Sequence, residues 1–185
     1  MVTAIKRDNN FIIGITSMDE FVDMTEKDKA LLENLAFWKV KGVKNCYVFG
    51  NSIDFSIELL RHNDYIFKGV TDANSIMKNV LPKMKEILDA YGFILEGKRW
   101  NNQILILKDD RLFQVCYDFT VTEIDNFASL WYTDYVYGGL EESRDLPMEE
   151  SLLFAIRNVE KMRGIQLFPL MTFNSKTKKK KIYNS

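Results

Sequence analysis

The chain has 185 residues, of which 46% are hydrophobic and 13% aromatic, so it can bury a sizeable core, and wholesale disorder is excluded. Its 25 basic and 26 acidic residues leave a formal net charge of -1, which gives no global field to attract nucleic acid or a membrane surface. Cys46 and Cys116 lack CxxC spacing and suit packed thiols in a reducing compartment. The single histidine, His62, rules out a histidine-based metal cluster, and no metal or cofactor is expected. Met1 to Asn10 is charged and has no apolar signal-peptide core, and the longest apolar runs are shorter than a membrane span. A soluble, cytoplasmic protein is therefore expected.

Thr3-Ala4-Ile5-Lys6-Arg7 and Phe11-Ile12-Ile13-Gly14-Ile15-Thr16 read as two strands of a hairpin, with Asp8-Asn9-Asn10 as its turn. Met18 to Lys29 is acidic and mixed, which suggests loop. A second hairpin is expected from Leu35–Val40 and Cys46–Phe49, closed by Gly50-Asn51-Ser52, with Ser52 positioned to cap a helix whose buried face carries Ile53, Ile57 and Leu60. Ile76, Met77, Val80, Leu81, Met84, Ile87, Leu88 and Tyr91 form an apolar stripe at helical period. Either Asp72 or Asn74 can cap this second helix, Gly92 ends it, and Pro82 inside it predicts a kink or a join.

Gln103–Leu107 and Leu112–Cys116 predict a third hairpin around Lys108-Asp109-Asp110, its second strand continuing into Tyr117–Thr122. Helices are expected at Tyr132–Glu142 and Pro147–Met162. Pro147 fits the first turn of the latter, and Glu149 and Glu150 suit its positive end. A last strand, Gln166–Phe173, contains Pro169, which suggests an edge. Strands and helices thus come in pairs, the pattern of an α+β fold with two antiparallel sheets flanked by helix pairs, a four-layer αββα sandwich. Residues 1–173 form the single expected domain, and 174–185 a basic flexible tail.

Three stretches carry a family resemblance. The opening Thr3 to Gly14 is similar to a hairpin of the form T-x-I/V-x-x-x-x-G-V-V-I-A. Tyr47-Val48-Phe49-Gly50-Asn51-Ser52-Ile53-Asp54 is similar to a strand, tight glycine turn and helix start. Tyr135-Val136-Tyr137-Gly138-Gly139-Leu140-Glu141, followed by Leu146 to Leu152 and Ala155-Ile156, is similar to a helix ending in A-x-G-x-L-E and then an M-S/T-x-E-E-A helix. In this order they resemble the proteasome β-subunit and its bacterial relative, the proteasome-like peptidase partnered by an ATP-driven unfoldase.

The resemblance implies N-terminal-nucleophile chemistry, in which a terminal hydroxyl attacks the scissile carbonyl and its own α-amine acts as base. A nearby lysine, a carboxylate that positions it, and a backbone N–H for the oxyanion complete the set. Thr3 is the hydroxyl at the start, but removal of Met1 exposes Val2, so its use needs a two-residue trim. The carboxylate position falls at Thr16 or Ser17, neither of them charged, and Asp19 requires a shifted register. The lysine position falls near Ala36. Lys39 is displaced by an odd number of residues, which turns a strand side chain to the other face unless a bulge intervenes. Gly50 can supply the oxyanion N–H or serve a conformational need. Ser129 matches a family serine near the nucleophile, with Asp125 close by in sequence.

Elsewhere, Asp109-Asp110 with Asp118 reads as turn chemistry before a cation site. His62 near a helix end, the Trp131, Tyr132, Tyr135 and Tyr137 cluster, and the lysine run from Lys176 to Lys181 each admit a structural explanation, the cluster being either core or interface. The expected function is a self-assembling proteasome-like scaffold or binding subunit, a homo-oligomer whose peptidase activity is weak or lost. The alternative is an active threonine-type peptidase or amidohydrolase using Thr3. A peptide or protein substrate and an ATP-driven unfoldase are the partners the resemblance implies; neither a membrane nor nucleic acid is expected as one.

Overall fold

A computed structural model describes residues 1–16, 37–50, 55–95 and 99–184. Among them the chain is α+β, with two main antiparallel sheets of five strands each. Its contacts divide it into two compact units. The first takes in the described residues of Met1–Glu33 and Asp125–Ser185, and the second those of Asn34–Ile124.

In the first unit, β1 (Val2–Arg7) and β2 (Asn10–Thr16) form the opening hairpin. Arg7 pairs with Asn10, so Asp8-Asn9 makes the turn, and Asp8 takes the left-handed conformation at φ 53° that Asp tolerates. β10 (Phe127–Ser129) pairs with β1, and β11 (Leu170–Asn174) pairs with β2 on one side and β12 (Lys180–Tyr183) on the other. The sheet order is therefore β10-β1-β2-β11-β12. Two corrections follow. The strand after Pro169 is interior, because Pro169 precedes the first ladder residue and withholds no N–H from it. The lysine-rich tail is not a free segment: Lys180–Tyr183 is a strand whose backbone pairs with β11.

The helices α3 (Thr133–Glu142) and α4 (Met148–Arg163) cover one face of this sheet, burying Val136, Leu140, Leu152, Ile156 and Val159 with Ile5, Ile12 and Leu170. They approach closely at Gly139, where a Cβ would lie 2.7 Å from the Ala155 Cα, so only glycine fits. Ser143 and Ser151 meet at 2.9 Å between their hydroxyls nearby.

In the second unit the sheet order is β3-β4-β7-β8-β9, from β3 (Phe37–Lys39), β4 (Cys46–Gly50), β7 (Ile104–Lys108), β8 (Arg111–Val115) and β9 (Val121–Ile124). A small hairpin joins β5 (Ile94–Leu95) to β6 (Arg99–Trp100). Tyr117–Thr122 does not prolong β8: a turn in which Phe119 N donates to Cys116 O reverses the chain, and β9 folds back antiparallel. Ser52, Ile53 and Leu35 lie outside the described residues. α1 (Phe55–His62) buries Ile57 and Leu60, as the spacing predicts.

The long stripe divides into a helical turn at Ala73–Ser75, a π-helical segment at Ile76–Val80 and α2 (Leu81–Ala90). Asp72 is the cap, with Ser75 N donating to its Oδ1 at 2.7 Å. The wide segment, in which Leu81 N donates to Ile76 O, ends just before Pro82 and absorbs the donor that proline lacks. Its changed phase leaves Met77 exposed, and Tyr91 is exposed past the end of α2, while Ile76, Val80, Met84 and Leu88 stay in the core.

Candidate functional site

The chemistry-bearing groups of the first unit meet where β10, paired with β1, leads into α3. Register places Thr3 opposite Ser129 on one side and Gly14 on the other. The Thr3 Oγ1 and Ser129 Oγ atoms are 3.0 Å apart, and Ser129 Oγ donates to Trp131 O at 2.5 Å. Since the serine proton is committed to that carbonyl, Thr3 is the donor of the pair, giving a relay from Thr3 through Ser129 to the backbone.

Thr3 is 0% exposed, and its nitrogen is a peptide amide between two strand residues. Val2 before it is also buried, with Val2 O accepting from Leu130 N at 2.9 Å. The Met1 amine faces Thr16 O at 3.4 Å, and burial pushes it down to about 5. Among the described residues, the Thr3 hydroxyl meets another hydroxyl and not a base.

The relay ends at a tight corner. Tyr132 stands at φ 56°, a conformation rare for a bulky side chain, and Thr133 Oγ1 donates to Ser129 O at 3.2 Å. The Arg163 guanidinium lies 5.6 Å from the Tyr132 ring centroid and 5.7 Å from that of Tyr135. Trp131 is 45% exposed and meets Tyr132 edge-on. The aromatic cluster is thus partly surface, with Tyr137 exposed as well.

No protein-family model and no curated protein matches the sequence. Solved structures do match. BPH from Thiobacillus denitrificans, solved in complex with epoxomicin, superposes with a TM-score of 0.70 at 15% identity, over 94% of this chain and 96% of that one. Eukaryotic HslV from Trypanosoma brucei gives 0.60 at 6% identity over 94% and 97%. Anbu, an ancestral beta-subunit from Yersinia bercovieri, gives 0.58 at 10% identity over 100% and 87%. This chain has the proteasome-type fold.

Within that proteasome-type fold, the structure brings Thr3 and Ser129 together. Ser17, Asp19 and Ala36 lie outside the described residues. Lys39 is exposed on β3, paired with Tyr47. Gly50 is the buried last residue of β4, and a Cβ there would lie 2.7 Å from Ile57 Cγ2, so close packing gives it a reason independent of any oxyanion. Asp125 is exposed at the bend before β10. Asp118 accepts from Thr120 N and Oγ1 within its own turn, whereas Asp109 accepts from Asn45 Nδ2. Among the described residues no acidic, cysteine or histidine cluster is arranged to hold a metal ion, and no helix is long and apolar enough to cross a membrane. Burial pushes the Cys46 thiol up to about 12, which removes it as a nucleophile at neutral pH.

Sequence reasoning missed the Trp131 carbonyl and the strained Tyr132. A serine four residues before a threonine at a helix start is the available signal for this corner, but the backbone conformation of Tyr132 leaves no mark in the residue pattern.

Proposed function

We propose that this protein is a self-assembling subunit of proteasome type that serves as a scaffold or binding component, with peptidase activity weak or lost. One observation carries the reading: the Thr3 hydroxyl is buried beside Ser129, and its nitrogen is locked in a peptide bond with a buried Val2. A nucleophile that uses its own α-amine as base needs that nitrogen free. Freeing it requires cleavage within a paired, buried strand.

Self-assembly is supported by the fold and by the partly exposed Trp131, Tyr137 and Arg163 surface, whose residue types are enriched at protein interfaces. Free Cys46 and Cys116 suit a cytoplasmic setting. A second reading, an active threonine-type hydrolase, is favoured by the Thr3–Ser129 contact itself. Loss of Met1 and Val2 would place a free amine on the same residue as a hydroxyl already held by a serine. In that case a peptide substrate and an ATP-driven unfoldase are the partners to seek.

The purified protein is incubated with fluorogenic peptides, with and without epoxomicin, and its intact mass is measured. Turnover at the level of a Thr3→Ala variant, no epoxomicin adduct and no species beginning at Thr3 are the expected results. Turnover that vanishes in Thr3→Ala, together with a mass beginning at Thr3, would replace the first reading with the second. Sedimentation that finds a strict monomer would remove the self-assembly.

A further inference from the structure

The second unit carries a cavity of its own, and none of the residues that line it belongs to the Thr3–Ser129 relay. Asn63 and the 3-10 helical segment that follows it, Asp64–Gly69, form one wall, and the outer face of α2 forms the other. Met84 and Leu88 point α2 into the core, which leaves Lys83, Glu86, Ile87 and Ala90 to line the cavity. Its volume is about 390 Å³, within the range of about 300–1,000 Å³ usual for small-molecule sites.

The lining is of two kinds. Tyr65 and Tyr91, 50% and 60% exposed, offer aromatic surface, and Ile87 and Ala90 add aliphatic surface. Phe55 backs Tyr91 at 6.4 Å between ring centroids. The polar members are Asn63, Lys83 and Glu86. Asn63 Nδ2 donates to Leu59 O at 2.9 Å, which orients the amide and makes Oδ1 its acceptor edge. Lys83 and Glu86 stand three positions apart on α2, the spacing of neighbours on one helix face. A neighbouring cavity of about 290 Å³, lined by Lys85, Asp89 and Phe119, is filled differently: Lys85 Nζ already sits 4.7 Å over the Phe119 ring.

We infer that the larger cavity binds a free aromatic amino acid, with its carboxylate on Lys83, its ammonium on Glu86 and Asn63 Oδ1, and its ring against Tyr65 and Tyr91. A lone ammonium in the wall would select an anion, and a lone carboxylate a cation. An ammonium and a carboxylate one helical turn apart select a ligand that carries both charges on one carbon. Lys83 and Glu86 also attract each other across that turn. An exposed pair of this kind is worth little, so a zwitterion that engages both sacrifices little. Contact between rings favours an aromatic side chain over an aliphatic one.

The test follows the amide NMR spectrum of the full chain as L-phenylalanine is added. Saturable shifts at Asn63, Tyr65, Lys83, Glu86 and Tyr91 are expected, with a Kd on the order of 1 mM. Three probes separate the parts of the ligand. N-acetyl-L-phenylalanine keeps only the carboxylate and stands for a peptide C-terminus. L-phenylalaninamide keeps only the ammonium and stands for a peptide N-terminus. L-alanine lacks the ring. Each should bind about fivefold more weakly than phenylalanine, or worse. Lys83→Gln should weaken phenylalanine by about fivefold and leave phenylalaninamide unchanged, whereas Glu86→Gln should weaken phenylalanine equally and leave N-acetylphenylalanine unchanged. Both side chains are exposed, so the variants keep the fold. The site is overturned by the absence of saturable shifts up to about 10 mM phenylalanine. It is also overturned by equal binding of any of the three probes, or by variants that weaken every ligand alike or none.

Discussion

The second sheet fills its strands with hydrocarbon, from Val48 and Phe49 through Ile104–Leu107 to Leu112, Phe113 and Val115, whereas the first buries Thr3, Thr16, Ser129 and Thr172 among its apolar residues. Both are five-stranded and antiparallel, and both are covered on one face by helices of their own unit. The difference lies in what holds each together. A hydrocarbon sheet depends on buried area and close packing, so its strength scales with the volume of its side chains. A sheet with interior hydroxyls also needs each hydroxyl paired, because an orphaned buried polar group costs more than its bond contributes. Groups able to do chemistry have therefore accumulated in the first unit, where the fold already supports them.

Removing volume from the hydrocarbon sheet should produce the largest effect. Phe113 is fully buried, and Phe113→Ala is expected to cost about 3–5 kcal/mol in urea denaturation. Backbone approach comes next, and the first unit provides its own control. Gly139→Ala forces a Cβ onto the Ala155 backbone and is expected to cost about 1–3 kcal/mol. Gly138→Ala, one residue earlier in the same helix and with nothing within 4 Å of the new Cβ, should instead stabilise by about 0.5–1 kcal/mol. If the two glycines behave alike, close packing of α3 on α4 does not govern this unit.

The hydroxyl relay offers the direct test of the contrast. Ser129→Ala leaves both the Thr3 hydroxyl and the Trp131 carbonyl without their partner and should cost about 1–3 kcal/mol. Thr3→Val keeps the shape and removes one donor, so it should cost less, about 1 kcal/mol. The double variant should be less destabilised than the sum of the two, with a coupling of about 0.5 kcal/mol or more, because a hydroxyl that has lost its partner is no longer present to be penalised. Simple additivity in denaturant midpoints would mean that the two hydroxyls share no energetic bond, and the first sheet would then resemble the second.

Much of the architecture was legible because its signals are local. Asp8 and Asp109 announce turns, each one residue shorter than the three expected, and both adopt left-handed conformations, φ 53° and 55°. Asp72 and Asn74 announce a helix start, and Asp72 is the one that caps it. The spacing of Leu152, Ile156 and Val159 announces a buried face. What escaped is long-range or short. β10 is three residues long, and its place beside β1 depends on pairing across 126 residues from Thr3 to Ser129. Both residues can be singled out from the sequence, but neither the burial of Thr3 nor the turn of Tyr132 can. β12 is hidden for another reason. Its lysines read as a solvated tail, since sequence pattern registers hydrophobic alternation and not the backbone pairing that an edge strand retains. The π-helical segment escaped because an apolar stripe at ordinary helical period absorbs one extra residue without a visible break.

The smallest expected effect concerns Glu149, where the polar character of the first sheet reaches its edge. Burial pushes this carboxyl upward, but hydrogen bonds from Lys181, Tyr183 and Thr172, with the charge of Lys181, outweigh it and hold the group below its ordinary value of 4.5. A carboxyl depressed in the folded state adds stability above its unfolded value, and that contribution is lost as pH falls through the lower folded value. Acidification below about pH 4.5 should therefore loosen β12 before the rest of the sheet, seen as faster amide exchange at Lys181 and Tyr183 than at Ile13 or Met171. The pair is partly exposed, so Glu149→Gln should cost only about 0.2–1 kcal/mol at pH 6 and should flatten the acid dependence of exchange in β12. An unchanged acid dependence in that variant would show that the edge strand is held by its ladder to β11 alone, as an edge of the hydrocarbon sheet would be.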